Sequence, residues 1–282
     1  MRRIYQLSML CLAAGVVNAC TPEQNFTSED IPTAGVRFLN LVPDTGAVDM
    51  RPVDIVENSS FYAVGFRSTS LAFYKNARAG QRRFRVFMSV SAFSTLPAEQ
   101  QIAIASTVLK DTTVTLEAGH RYTFLLWGFA RPGSTPGLKL TVFDDNPADP
   151  GAQVALRLVN AGAGLGAIDG RQYPSTGTPP AGATWGAVPE LTASAYVSAP
   201  TGAIKYNVTP AGGGTALFTD ATAIAGAAAT VDLDPLPGTT VAGSAVSGFV
   251  VPRSVTPSGA VQITTPGIIF LWDRRPPRPP GI

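Results

Sequence analysis

Cysteine and histidine are scarce in this chain of 282 residues, which has two cysteines and one histidine. Cys11 falls in the export signal predicted below, so Cys20 is the only thiol of the predicted mature chain. An intrachain disulfide is therefore excluded, and the fold must be stabilised by packing. His120 has no second histidine with which to complete a zinc site, and we expect it to be a solvated turn residue.

Net charge is also small. The chain has 21 Lys and Arg against 19 Asp and Glu, and removal of Arg2 and Arg3 with the predicted signal leaves 19 of each sign. Nucleic-acid binding is not predicted for a neutral chain. Glycine and proline are plentiful instead, at 28 and 24 residues. Together with short alternating apolar stretches, they predict an all-β protein with many turns.

The first twenty residues have the three parts of a bacterial export signal. Two arginines precede the apolar stretch 7–17, which is too short for the roughly twenty residues of a transmembrane helix. The sequence Val17-Asn18-Ala19-Cys20 resembles the lipobox of bacterial lipoproteins, in which diacylglycerol is attached to the cysteine. The resemblance implies cleavage between Ala19 and Cys20 and lipid attachment at Cys20. Cleavage after Ala19 by an ordinary signal peptidase is the alternative.

The predicted location is extracytoplasmic, with the membrane as a partner through the lipid anchor. Residue 21 is threonine and not the aspartate that retains lipoproteins at the inner membrane. For an envelope with two membranes, the lipobox resemblance therefore implies the outer membrane or the cell surface.

Two segments of the chain, 36–49 (VRFLNLVPDTGAVD) and 156–169 (LRLVNAGAGLGAID), align without a gap at an offset of 120. Two further groups of residues match in the same order. At an offset of 122, Tyr74, Gly80 and Val86 match Tyr196, Gly202 and Val208. At an offset of 120, Gly128-Phe129 and Pro132 match Gly248-Phe249 and Pro252. This order at a nearly constant offset predicts an internal duplication.

The duplication predicts five segments: a signal peptide 1–19, a lipidated tether 20–35, domain one 36–151, domain two 152–275, and a proline-rich tail 276–282. Alternating apolar residues predict strands at Phe84–Val90, Thr113–Leu116, Tyr122–Trp127, Leu138–Phe143, Val154–Val159, Ile204–Val208, Ala229–Leu233 and Ile268–Trp272. One short helix is predicted within Ala98–Leu109. Short strands separated by turns favour β-sandwiches.

The stretch 116–122 (LEAGHRY) resembles the tyrosine corner of immunoglobulin-like sandwiches, in which the Tyr122 hydroxyl would bond back to the backbone. In the second copy, Val241 is predicted to replace this tyrosine, so that the corner is lost or made elsewhere.

Four features together resemble a known bacterial envelope family, the domain of unknown function 4397. They are the strand Val36–Asn40, the step Val48-Asp49, the central Tyr74 and Gly80, and the stretch Leu116–Thr123. This family is often found in tandem and in lipoproteins, and it implies two tandem immunoglobulin-like sandwich domains. The resemblance covers most of both copies and is closer in the first. It supplies no catalytic residues.

Several polar groups are weaker candidates for a site. The acidic hinge Asp144–Asp149 could hold Ca²⁺, although turns also use such residues. The basic cluster Arg78, Arg82, Arg83 and Arg85 could bind anionic glycan or lipid headgroups, or could be one solvated strand face. The tail 275–280 could be a partner ligand or a disordered end.

The leading hypothesis is a non-catalytic envelope lipoprotein that binds or adheres to glycan or an envelope protein, with no cofactor, no metal and no catalytic residue. The alternatives are an enzyme acting on envelope polysaccharide and a structural subunit of a surface assembly. For the enzyme, Asp44, Asp49 and Asp54 are candidates for a carboxylate pair.

Overall fold

A computed structural model describes residues 30–69, 73–89, 95–255 and 263–281. The described residues from 32 onwards form one compact unit. The prediction of an all-β fold is confirmed, because the described residues contain seventeen strands and one short helix, α1 (Ala98–Ser106). No helix among these residues is long and apolar enough to cross a membrane. The predicted signal peptide, Cys20 and most of the tether lie outside the described residues.

The N-terminal half of the compact unit forms two four-stranded sheets. Inner sheet 1 has the order β4-β1-β7-β8, and outer sheet 1 has the order β3-β2-β5-β6. Only β1 and β7 run parallel. The strands are β1 (Thr33–Asn40), β2 (Val48–Pro52), β3 (Phe61–Val64), β4 (Lys75–Arg78), β5 (Gly80–Met88), β6 (Val108–Leu116), β7 (Arg121–Trp127) and β8 (Lys139–Asp144).

The C-terminal half repeats this pairing. Inner sheet 2 has the order β12-β9-β16-β17, with β13 also paired to β9, and outer sheet 2 has the order β11-β10-β14-β15. Again one pair, β9 and β16, runs parallel. The strands are β9 (Val154–Asn160), β10 (Ile168–Pro174), β11 (Trp185–Val188), β12 (Thr192–Ala193), β13 (Val197–Ala199), β14 (Ile204–Pro210), β15 (Phe218–Thr222), β16 (Ala245–Val251) and β17 (Gly267–Arg274).

Three apolar cores hold the four sheets together. In β1, Val36 and Phe38 belong to the core shared with outer sheet 1, whereas Leu39 belongs to a separate core. This alternation is the two-residue period of a strand that is covered on both faces. The separate core joins the two inner sheets through residues such as Trp127 and Phe249. The sheets are therefore stacked in the order outer 1, inner 1, inner 2, outer 2.

Both parallel strand pairs run in the same direction through the stack. Where they end, the loop after β16 contacts the loop after β1, with Val255 N–H donating to the Pro43 carbonyl at 2.9 Å. Where they begin, Arg274 at the end of β17 pairs with Asp149, which precedes β9, at 2.7 Å. We call the end at which β1, β7, β9 and β16 begin the base of the molecule, and the opposite end its tip.

Seven of the eight predicted strands fall on strands of the structure, and the predicted helix is present but ends at Ser106. The strand predicted at Ala229–Leu233 is wrong. That segment is part of an irregular loop closed by an isolated bridge between Ala227 and Leu236. Asp232, Asp234 and Pro235 explain the error, because aspartate is depleted in strands and proline cannot donate to a ladder.

The predicted tyrosine-corner bond is present, since the Glu117 N–H donates to the Tyr122 hydroxyl at 2.9 Å. The position assigned to Val241 is wrong. Val36 lies opposite Tyr122 and Leu156 lies opposite Val246, so Val246 occupies the equivalent place. In that half the turn is restrained differently, because the Gly238 N–H donates to the Ser244 hydroxyl at 3.1 Å.

The third group of matched residues is also out of register. Leu39 lies opposite Leu125, and Val159 lies opposite Phe249, so Phe249 is equivalent to Leu125 and not to Phe129. The match at Gly128-Phe129 and Gly248-Phe249 is therefore accidental. The second group is in register, because Val86 lies opposite Met50 and Val208 lies opposite Gly170.

Candidate functional site

Asn40 and Asn160, which the sequence matched, have the same structural role in both halves. The Asn40 side-chain amide donates to the carbonyls of Gly46 and Val64 at 3.2 and 3.1 Å. Asn160 donates to those of Gly166 and Val188 at 2.8 and 3.0 Å. Both asparagines are completely buried. Each satisfies carbonyls that would otherwise be left unpaired near the tip.

Asp49 and Asp169 are likewise structural. The Asp49 carboxylate accepts the N–H of Ala63 at 2.8 Å, and that of Asp169 accepts the N–H of Ala187 at 2.7 Å. Both alanines have positive φ, at 52° and 45°. Such a conformation is unfavourable for alanine and persists only where its surroundings fix it. These carboxylates therefore hold a strained irregularity within the edge strand of each outer sheet, where the register of pairing shifts.

The most concentrated polar chemistry lies between the two inner sheets. Arg37, Arg157, Asp145 and Asp273 form a charge network there, and each residue is at most 4% exposed. The arginines cross over: the Arg37 guanidinium donates to Asp273 at 2.5 Å, and that of Arg157 donates to Asp145 at 2.7 Å. Each half thus supplies the arginine that neutralises the carboxylate at the end of the other half.

Hydroxyl groups complete this network in the same way on both sides. The Nε atoms of Arg37 and Arg157 donate to Thr123 and Ser247, at 2.6 and 2.8 Å. These hydroxyls in turn donate to Asp145 and to Asp273. Each carboxylate also accepts a hydrogen bond from a tyrosine hydroxyl, so the charges are closely compensated despite their burial.

Two tyrosines cover the arginines. The Tyr74 hydroxyl donates to Asp145 at 3.0 Å and that of Tyr196 donates to Asp273 at 2.9 Å. Each ring also lies 4.6 Å from the guanidinium of its own half, Arg37 or Arg157. Burial raises the pKa of both phenols well above the ordinary value. Burial also raises the pKa of Asp145, against the attraction of Arg37. The network is closed to solvent and therefore serves structure.

Sequence reasoning missed this network because Asp145 was assigned to the hinge and Asp273 to no role. The matched pair Arg37 and Arg157 was a usable signal. Each arginine interrupts a strand that is apolar on both faces, and an arginine in such a place requires a buried partner.

The predicted acidic hinge does not bring its carboxylates together. Asp144 lies 3.0 Å from His120, Asp145 is in the buried network, and Asp149 pairs with Arg274 at 2.7 Å. Nor do three or more metal-ligating side chains converge anywhere among the described residues. His120 is half-buried and bonded, and is therefore less solvated than predicted.

The three aspartates that are candidates for a carboxylate pair are each held by a different contact. Asp44 accepts the N–H groups of Ala130 and Arg131 at 2.7 and 3.0 Å. Asp49 accepts the N–H of Ala63 in β3, as described above. Asp54 lies 3.7 Å from the Arg82 guanidinium. Each of the three carboxylates has its own structural partner.

The basic cluster on β4 and β5 is largely neutralised. The side chains of Arg83 and Arg85 converge on Asp111, with distances of 2.7 to 2.8 Å. The Arg82 guanidinium donates to backbone carbonyls, including that of Arg78 at 3.1 Å. The hydrogen bonds from Arg83 and Arg85 lower the Asp111 pKa from 3.8 to about 2. Asp111 therefore stays charged, and its pairing persists, until the pH falls towards 2.

We expect Asp111→Asn to expose the cluster, because two guanidinium groups lose their counter-charge. The variant should need more salt than the parent protein for elution from a heparin column at pH 7. Asp232→Asn, which makes the same change in net charge at an exposed site elsewhere, is the control. Equal elution of the two variants would show that Arg83 and Arg85 form no usable anion site.

The proline-rich tail contacts the C-terminal half at two positions. Pro276 is buried, and the Arg278 guanidinium donates to the Thr230 carbonyl at 2.9 Å. In this structure, residues 276–278 therefore pack on the C-terminal half. Proline has little conformational freedom to lose, which favours such docking.

The open site of most interest is a cleft at the tip, with a volume of about 350 Å³. It is lined by the loops that follow β7, β9 and β16, so both halves contribute. Apolar side chains form most of its wall: Phe129, Leu165, Pro252, Val255 and Pro266. Arg253 and Thr264 are the polar lining side chains, and Arg253 has no ion-pair partner among the described residues. No sequence pattern indicates this cleft, because its three loops are distant in the chain.

Comparison with protein families gives a single match, which covers the N-terminal half and part of the C-terminal half. No curated protein matches the chain. The family match begins in β1 and ends in β10, and it therefore spans both sheets of the N-terminal half and continues past Arg157. Residues 34–171 match the family described as "Domain of unknown function (DUF4397)".

Proposed function

We propose that this protein is a membrane-anchored, extracytoplasmic lipoprotein that binds a ligand without catalysis, through the loops at its tip. The cleft is the observation that carries the proposal. Its described lining combines apolar walls with one unpaired guanidinium and contains neither a carboxylate nor a histidine. Such a surface suits binding of a ligand that has an apolar face and an anionic group.

The architecture that we propose is a tandem duplication of an immunoglobulin-like sandwich, with the two copies packed back to back. In support, the sheet orders correspond strand for strand in the two halves. The matched arginines, asparagines and aspartates also make equivalent contacts, as described above. Packed in this way, the copies form one rigid scaffold that fixes the three loops of the cleft relative to one another.

The lipid anchor rests on the lipobox resemblance at Cys20 and is tested by metabolic labelling. Cells grown with labelled palmitate should yield a labelled mature protein, and Cys20→Ala should abolish the label and release the protein from membranes. An unlabelled wild-type protein would disprove the anchor and leave simple secretion.

Ligand binding is tested by crosslinking in intact envelopes, followed by recovery of the protein. We expect Arg253→Glu to reduce the recovered ligand at least tenfold, because one charge reversal at a contact removes an attraction and adds a repulsion. Lys139→Glu makes the same charge change at an exposed site outside the cleft and should leave recovery unchanged. Analysis of the recovered material for protein and for glycan distinguishes the two ligand classes. Equal recovery from both variants would disprove binding in the cleft.

The two alternative functions, an enzyme and a structural subunit, are supported by no comparable arrangement among the described residues. A polysaccharide-degrading enzyme requires a carboxylate pair in a cleft, and Asp44, Asp49 and Asp54 are each engaged elsewhere. A structural subunit would be indicated by recovery of a stoichiometric protein partner that is independent of Arg253.

A further inference from the structure

The loop between β15 and β16 presents an unusual set of apolar side chains. Val231, Leu233 and Leu236 are exposed to 78, 67 and 57%. Leu233 and Leu236 line a cleft of about 360 Å³ whose lining also includes Arg275, and Val231 lies on the same loop. Three large aliphatic side chains exposed on one loop exceed the scattered single residues that are normal on a protein surface.

This loop is held in a defined shape. Ala227 and Leu236 exchange both backbone hydrogen bonds, at 3.0 and 2.9 Å. Within the loop, the Thr230 N–H donates to the Leu233 carbonyl at 2.9 Å, and the docked tail adds the bond from Arg278 to Thr230. Because the backbone is fixed in this way, little conformational entropy remains to be lost when the apolar side chains bind a surface.

The loop lies at the base of the molecule. It leads into Gly243, whose N–H donates to the Gln153 carbonyl immediately before β9, at 2.9 Å. The base is also where β1 begins: Pro32, just before that strand, accepts the N–H of Ala79 at 2.8 Å. The chain from the proposed anchor therefore joins the folded unit at the same end as the exposed apolar loop.

The length of the predicted tether brings this end close to the bilayer. Eleven residues separate Cys20 from Ile31, counting Cys20 itself. Even fully extended, such a segment reaches about 40 Å at most. An anchored protein thus keeps its base at a high effective concentration near the membrane, where a weak contact is sufficient.

The charged residues near the loop are compatible with the headgroup layer of a bilayer and not with its hydrocarbon core. Asp234 lies 3.7 Å from Arg275 and 3.5 Å from Arg278, so its charge is compensated. Asp232 is exposed between Val231 and Leu233 and would remain among the headgroups. The alternation of apolar and acidic residues therefore limits insertion to a shallow depth.

We propose that Val231, Leu233 and Leu236 form a membrane-contact loop that inserts into the surface of the bilayer to which Cys20 is anchored. This inference rests on the proposed lipid anchor. The contact orients the parallel strand pairs away from the bilayer and directs the tip cleft towards the surroundings.

The test uses the lipidated full chain in phosphatidylcholine vesicles, with Leu233→Cys labelled by an environment-sensitive fluorophore. Emission should shift to shorter wavelength, and vesicles with brominated acyl chains should quench it. Ile102→Cys is the matched control, because Ile102 is 69% exposed on α1, which lies near the tip between the end of β5 and the start of β6. Its label should show neither effect.

The outcomes separate this inference from the anchor itself. A parent chain that reacts with the fluorophore has a free Cys20 thiol, and the anchor is then disproved. A lipidated protein whose Leu233→Cys label behaves like the Ile102→Cys label overturns the membrane contact alone. A blue shift without quenching by brominated lipid also overturns it, because the loop is then covered by protein, as in self-association.

Discussion

Replacement of Arg37 by methionine should lower the free energy of unfolding by about 3–5 kcal/mol, measured by urea denaturation of the Cys20→Ala mature chain. The physical reason is the burial of its partner. Asp273 is completely buried, and without Arg37 it keeps only the 3.7 Å contact with Arg157 as a charge partner. Methionine preserves most of the packing volume, so the loss of stability comes from the uncompensated carboxylate and not from a cavity.

Arg83→Met is the matched control, because Arg83 also pairs with an aspartate, through two hydrogen bonds of 2.8 and 2.7 Å. That pair is on the surface, and its removal should leave stability nearly unchanged. In the double variant Arg37→Met/Asp273→Leu, the loss should be smaller than the sum of the single losses by about 1–3 kcal/mol. Additive losses would mean that the two residues are not coupled and would contradict the assignment of a shared network.

Trp127→Ala should cost about 3–5 kcal/mol in the same measurement, because truncation of a buried aromatic residue loses transfer energy and leaves a cavity. Trp127 is completely buried in the core that joins the two inner sheets, and its indole N–H donates to Thr141 at 3.0 Å. The substitution removes packing from the contact between the two halves. We therefore also expect the unfolding transition to broaden or to separate into two.

Tyr62→Ala is the control for aromatic truncation, since Tyr62 is 56% exposed on outer sheet 1. Its effect should remain within about 0.5 kcal/mol. A Trp127→Ala variant as stable as Tyr62→Ala would show that the inner sheets are held together by the charge network and not by the apolar core.

Much of the fold could be predicted from the sequence because its signals are local. Alternating apolar residues located most strands, and the glycine turn before Tyr122 located the corner bond. The failures have physical reasons. In the segment Ala229–Leu233 the composition suggested a strand, whereas the neighbouring aspartates and prolines prevent regular pairing. At Val241 and Gly248 the alignment by residue identity was misplaced, because strand register is set by pairing partners.

The candidate site was far less predictable. Arg253 and Phe129 are more than a hundred residues apart in the chain, and only the packing of the two inner sheets makes them neighbours in one cleft. The buried network also joins residues that are distant in the chain, since Arg37 and Asp273 come from opposite ends of it. A pattern within one segment cannot reveal a contact of this kind. The repeated arginine could indicate that a buried partner exists, but not which residue it is.

The common direction of the two parallel strand pairs has a mechanical consequence. If the chain is held at its base by the lipid and pulled at its tip by a bound ligand, the tension runs along the strands. The hydrogen bonds between β1 and β7, and between β9 and β16, then bear the load in shear and must break together. A peeling geometry would break them one at a time and at lower force. Under the proposed anchoring and ligand binding, this strand arrangement would resist traction between the membrane and the ligand.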